Sequence, residues 1–118
     1  MDKRELLTRT RLFAIRVFKL VNRFPQSKAA DVIAYQLLKA SSSVAANYRA
    51  VNRAKSKIDF INKIKIVVEE ADECNFWLTF IKDLELMKAD DELEFLIKES
   101  DEFIAIFTAS LKTLNKAS

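Results

Sequence analysis

An all-α fold, a four-helix bundle with up-down-up-down connections, is what this sequence predicts. Three observations carry the prediction. Apolar residues recur at three- and four-residue steps through most of the chain, the spacing that lays them along one side of a helix. Glycine is absent and proline occurs once, which leaves little material for hairpin turns, phosphate-cradling loops or sharp strand connections. Ser27, Ser56 and Asp90 or Asp91 stand immediately before apolar-periodic segments, where a side-chain oxygen accepts a free backbone N–H of a helix start. With 118 residues, half of them hydrophobic, the chain can build one core and is too short for two. Residues 1–118 therefore read as a single domain.

The first helix is expected over about Lys3 to Arg23. Leu6, Phe13, Val17, Leu20 and Phe24 form its seam, widened by Ala14, Phe18 and Val21, while Arg9, Arg16 and Arg23 repeat every seven residues on another face. Pro25 stops it, because proline has no N–H and disfavours helical geometry in the residue before it. The second helix follows from about Ser27 to Arg53, with a core stripe of Ile33, Leu37, Ala40, Val44, Tyr48 and Val51. Its middle, Ala40 to Ala46, is a run of small side chains that lets a neighbouring backbone approach closely. Gln36, Ser43 and Asn47 line up beside the stripe as polar residues that fix alignment, across the bundle or within a subunit contact. Lys28, Tyr35, Lys39, Arg49 and Arg53 form a third line that should face solvent.

The connection to the third helix is two residues long, so the two helices should be antiparallel neighbours or nearly continuous. Ser56 caps the third helix, with Asp59 favouring the positive end of the dipole, and the helix should end near Met87. Phe60, Ile64, Val67, Ala71, Cys74, Leu78 and Ile81 make its core stripe. A second apolar set, Ile66, Trp77, Phe80 and Leu84, interrupted by Glu70 and Glu73, lies on the other side. One bundle core faces one side only, so this set is read as a contact between subunits. The fourth helix starts with the acidic turn that the dipole favours and shows a broad apolar face from Leu93 to Leu114, ending near Asn115.

Composition removes most catalytic chemistry. The chain has no histidine and a single cysteine, so Ser-His-Asp and Cys-His sites cannot be assembled, and no disulfide can form within the chain. Cys74 falls on a core stripe and reads as a small buried hydrophobe. Glu69, Glu70, Asp72 and Glu73 resemble in number the carboxylates of di-iron bundles, but those centres need inward Glu-x-x-His pairs; Lys65, Glu69 and Glu73 follow one another as on a salt-bridged helix face, available to Arg49 or Arg53 within the chain or across subunits. No catalytic residue, metal or cofactor is expected. No run of 18 or more apolar residues spans a bilayer, the segment MDKRELLTRTR lacks the apolar stretch of a secretion signal, and a cytoplasmic location is expected.

The net charge of +3 hides an asymmetry. Through Lys65 there are 15 Lys and Arg against four acids, a net +11; from Ile66 onward there are five lysines against 13 acids, a net −8. Helices from the two halves should attract one another, and a basic face is left for a polyanion. Arg9, Arg16, Arg23, Lys28, Lys39, Arg49, Arg53, Lys55 and Lys57 are the candidate phosphate contacts. The alternative is a protein-protein scaffold on whose surface these cations only confer solubility.

Phe24-Pro25, the stretch YQLLKASSSVAANYRA (Tyr35 to Ala50), Arg53 to Ser56 with Asp59-Phe60 following, and EEADECNFWL (Glu69 to Leu78) together resemble the bacterial four-helix-bundle family of 23S rRNA intervening-sequence proteins. The match runs from about Phe13 to Met87. Many members carry an Asn-Ile-Ala-Glu-Gly run where this chain has Asn47-Tyr48-Arg49-Ala50-Val51, which is similar to the branch reading Asn-Tyr-Arg-Ala and Glu-Glu-Ala-Asp-Glu. The resemblance implies a ring-shaped homopentamer of up-down bundles around a central channel, without known catalysis. It also implies RNA or DNA as ligand and a reverse transcriptase as partner, since some members are encoded in ribosomal RNA gene insertions and relatives serve as accessories of diversity-generating retroelements.

Overall fold

The structure, a computed structural model, describes residues 1–116. Four helices account for it: α1 (Lys3–Val21), α2 (Lys28–Val51), α3 (Lys57–Leu84) and α4 (Asp91–Lys116), with no strand among the described residues. Each start is capped by a side-chain oxygen. Asp2 accepts from the Glu5 N–H at 2.8 Å, Ser27 from Ala30 at 3.0 Å, Ser56 from Asp59 at 3.1 Å and Asp90 from Leu93 at 3.0 Å. These bonds satisfy donors that the first turn of a helix leaves free.

The C-terminal ends of α1, α2 and α3 fall earlier than the sequence suggests. α1 stops at Val21 and not Arg23, and α3 stops at Leu84 and not Met87. Glu85 turns left-handed (φ 55°, ψ 40°), the one positive-φ residue among those described, and its N–H and that of Leu86 return to carbonyls of the last α3 turn. Such a turn normally takes glycine. In a chain without glycine, nothing in the residue types marks it.

Each helix packs on its predecessor and α1 closes the bundle against α4, giving a molecule of 48 × 21 × 20 Å. The predicted stripes meet in one core. Phe13, Val17 and Leu20 from α1, Leu37, Ala40 and Val44 from α2, Val67, Ala71, Cys74 and Leu78 from α3, and Leu93, Leu96, Phe103 and Phe107 from α4 are all buried. The small run of α2 lies partly inside: Ala40 and Ser41 are fully covered, and the Ser41 hydroxyl donates to the Leu38 carbonyl. Aromatic rings fill the α1–α4 side, with Phe103 edge-on to Phe13 at 5.3 Å and 6.2 Å from Phe107, itself 5.1 Å from Tyr48. No helix among the described residues is long and apolar enough to cross a membrane.

Candidate functional site

The three arginines of the heptad, two on α1 and Arg23 in the turn after it, face α4 and its cap. Arg9 pairs with Glu99 and reaches Glu102 at 3.6 Å, Arg16 pairs with Glu92 at 2.7 Å, and Arg23 pairs with Asp90. Arg9 also lies 5.3 Å above the Phe103 ring and Arg16 lies 3.7 Å above Phe95, contacts that a delocalised guanidinium favours. The charge asymmetry between the halves is thus drawn on inside the molecule, as the seam between α1 and α4. Glu99 is the one buried carboxylate among the described residues.

Two cap carboxylates carry a pH signature. The Leu93 N–H, followed by the Arg23 guanidinium, holds Asp90 below the usual carboxylate range, and Lys63, followed by the Lys55 N–H, does the same for Asp59. A carboxyl depressed on folding contributes stability above its unfolded pKa of about 3.9, and that contribution is lost as pH falls through the lower folded value. The bundle should hold its denaturation midpoint from pH 7 down to about 4 as far as these caps are concerned, then lose stability on further acidification. Replacing Asp90 with Asn should flatten that acid limb, as followed by circular dichroism in a pH series.

The other predicted cations stand elsewhere. Lys28, Lys39, Arg49, Arg53, Lys55 and Lys57 are exposed and make no ion pair with a described residue. Lys3, Lys55 and Lys57 border a hollow of about 600 Å³ at the end of the bundle where α3 begins.

The outer side of α3 is a ridge of grease and acid. Ile66, Phe76, Phe80 and Leu84 are exposed, Phe76 by 53% and Leu84 by 47%. The sequence reading omitted Phe76 and gave its place to Trp77. Trp77 instead is half-buried and packs against the bundle core, with Phe76 edge-on to it at 4.9 Å and Phe80 at 5.7 Å. One residue is a 100° step on a helix, so Phe76 and Trp77 divide the boundary between core and surface. Half-buried Glu70 and Glu73 and exposed Glu69 and Asp72 flank the ridge, and none of the four has an ion-pair partner among the described residues. The pairing of these acids with Arg49 or Arg53 is therefore not made inside the chain.

Opposite the ridge, α1 and α2 leave a groove of about 910 Å³. Its floor is Leu7, Ala14, Ile15, Phe18, Ala45 and Ala46, and Arg11, Lys19, Arg49 and Arg53 surround it. Phe18, expected to widen the core seam of α1, is 44% exposed here, with Ile15 at 40% beside it. The seam is too narrow to reach that far round the helix: Ala14 and Val17 close it.

The polar alignment residues act locally. Asn47 donates to the Ser43 carbonyl at 2.9 Å and to its hydroxyl at 2.8 Å, both along α2, and Gln36 is half-buried beside them. The side-chain amide that bonds across helices is Asn75, which the sequence reading did not single out: it donates to the Ser100 hydroxyl and to the Asp101 carboxylate, each at 2.9 Å. Ser100, a hydroxyl within the apolar face of α4, was the signal that a partner was needed. Burial pushes the Cys74 thiol far up, with Glu70 and Glu73 adding to the effect, so it stays protonated and unreactive at neutral pH. No group of three or more His, Cys, Asp or Glu among the described residues is placed to hold a metal ion.

These features define a class: an all-α, four-helix protein with a largely apolar core, whose distinctive chemistry lies on its outer faces. The chain belongs to the 23S rRNA-intervening sequence protein family, whose model matches residues 2–109. It is similar to a crystal structure of a protein of unknown function from the S23 ribosomal protein family of Bacteroides thetaiotaomicron, with 27% identity, a TM-score of 0.84, and coverage of 95% of this chain and 99% of that one. Among curated proteins, none matches the sequence.

Proposed function

We propose that this protein is a non-enzymatic, oligomeric accessory that binds RNA or DNA through charge, acting in the cytoplasm with nucleic acid, and in some settings a reverse transcriptase, as its partner. The observation that carries the reading is the set of cations that the fold leaves unpaired: Lys28, Lys39, Lys55 and Lys57, with Arg49 and Arg53 at the groove. Lys3, Lys55 and Lys57 gather where the N-terminus of α3 adds the partial positive charge of its dipole. A few such contacts per chain are weak. Repeated around an assembly, they act together and affinity multiplies. Tyr35 is the one exposed aromatic in the line of Lys28, Lys39, Arg49 and Arg53, too few rings to stack successive bases, so recognition depends on backbone charge and shape and tolerates sequence.

Duplex DNA and structured RNA should bind at low salt and weaken steeply as salt rises, by about 10³-fold between 50 and 200 mM if six or more phosphates are neutralised per assembly. Lys55→Glu with Lys57→Glu should reduce the salt slope. A flat salt response, or no binding at low salt, ends this reading. The engagement of Arg9, Arg16 and Arg23 by α4 takes three cations from the polyanion surface and favours the second reading, a scaffold for another protein. An intact assembly with no affinity for polyanions would leave that one standing.

A further inference from the structure

We infer that the hollow at the end of the bundle where α3 begins, walled by Tyr48, Phe60 and Leu114 and edged by Lys3, Lys55 and Lys57, is a binding site for a nucleoside 5′-monophosphate, free or at the end of a strand. The inference rests on the reading of this cationic end as a polyanion contact and names what one part of that surface takes. Tight turns build the site. After α2, the N–H groups of Arg53 and Ala54 return to the Ala50 and Val51 carbonyls at 2.9 and 3.1 Å, which curls residues 52–56 and brings Lys55 and Lys57 beside Tyr48. Lys3 arrives from the start of α1, because α1 and α3 run in the same direction and both begin at this end.

Three observations mark the place of an anion. Lys3, Lys55 and Lys57 are exposed and form no ion pair with a described residue. The start of α3 keeps two donors: Ser56 takes the Asp59 N–H on its hydroxyl and the Phe60 N–H on its carbonyl, while the N–H groups of Lys57 and Ile58 bond to no described residue. The helix dipole adds its positive end there. The third observation lies on another helix. Tyr48 is 6% exposed, with its ring 5.1 Å from Phe107, yet its hydroxyl bonds to no described residue. No side-chain nitrogen or oxygen sealed from solvent among the described residues lacks a partner, so this hydroxyl is not sealed and opens on the space that Tyr48 lines, the hollow. Burial, then Asp2, pushes its pKa up, so it remains a donor at neutral pH. Hydroxyls this deep are nearly always bonded, and a phosphate oxygen is the acceptor that this one lacks. The acids nearby are engaged: Asp2 caps the Glu5 N–H, and Asp59 pairs with Lys63 at 2.6 Å and takes the Lys55 N–H.

The rest of the wall sets the body that the phosphate carries. Val51, Phe60 and Leu114 give an apolar floor, and Phe60 and Leu114 continue into an adjoining hollow of about 400 Å³. Inorganic phosphate would leave that floor wet, whereas a flat base covers it against the Phe60 ring. At about 600 Å³ the hollow falls in the ordinary range of small-molecule sites and holds one nucleotide. Asn52 gives its amide N–H to the Tyr48 carbonyl at 2.9 Å, which leaves its oxygen for a ribose hydroxyl. The floor offers no polar group to a base edge, so the phosphate and the flat ring are recognised and the identity of the base is not.

Titration calorimetry of the full chain tests the site, with adenosine 5′-monophosphate, adenosine and inorganic phosphate as probes. The monophosphate should bind, and adenosine and phosphate alone should be weaker by about tenfold or more. Tyr48→Phe deletes the hydroxyl and keeps the ring on Phe107; it should weaken the monophosphate by about tenfold with the helical circular dichroism signal retained. Lys3→Ala with Lys57→Ala should weaken it independently. A second arm separates the two sources by comparing single-stranded oligonucleotides that end in a 5′-phosphate or a 5′-hydroxyl. A preference for the phosphorylated end that Tyr48→Phe abolishes places a strand end in the hollow; monophosphate binding without that preference assigns the hollow to a free nucleotide. Oligonucleotides that bind alike whatever their end, with no binding of the monophosphate, overturn the site and leave charge-driven binding standing. A monophosphate held equally well by wild type and Tyr48→Phe overturns it too. A protein that binds neither probe nor oligonucleotide removes both readings.

Discussion

Phe103→Ala should lower the unfolding free energy by about 3–5 kcal/mol. The ring is fully covered, edge-on to Phe13, beside Phe107 and beneath the Arg9 guanidinium. Truncation removes its transfer free energy, the edge-to-face contact and the cation–π contact together. The cavity cannot collapse easily, because Phe13 and Phe107 are themselves held by α1 and by Tyr48 of α2. A urea titration should show an earlier midpoint with an unchanged slope, the mark of lost stability in an unaltered fold. A midpoint within error of wild type would mean that α4 does not pack as described.

Arg9→Ala comes next, at about 3 kcal/mol, because it strands a buried carboxylate. Glu99 is 8% exposed and Arg9 supplies both its counter-charge and its hydrogen bonds. Most of the cost is the penalty of leaving Glu99 charged and unpaired, so the double variant Arg9→Leu with Glu99→Leu should recover much of it. The coupling read from that cycle should persist in high salt, since a covered pair is weakly screened. By contrast, the exposed Lys82–Glu94 pair should yield no resolvable coupling. Equal couplings for the two pairs would contradict the burial assigned to Glu99.

The helices and core stripes were legible because periodicity and caps are local signals. Ser27 and Ser56 announced two starts and Asp90 or Asp91 a third, of which Asp90 makes the cap, and the stripe from Ile64 to Ile81 lies where its spacing put it. What was not legible depends on neighbours. The seven-residue spacing of Arg9, Arg16 and Arg23 marks a face, but the identity of the opposing face, acidic α4, is a tertiary fact. The wheel likewise cannot say how much of an indole its own bundle covers, so Trp77 was placed outside and Phe76 overlooked. Ile15 and Phe18 belong to a groove that two helices define jointly, and periodicity along one of them does not reveal it. The end of α3 was misjudged for a chemical reason: the residue that adopts the left-handed turn is a glutamate.

The proposed assembly requires that the grease left outside the bundle on α3 meet other copies of the same chain. The direct measurement is the mass of the unmodified protein in solution, taken by light scattering over a dilution series. The expected result is one species of several times 13.6 kDa that persists on dilution. A particle of 13.6 kDa at every concentration would contradict it.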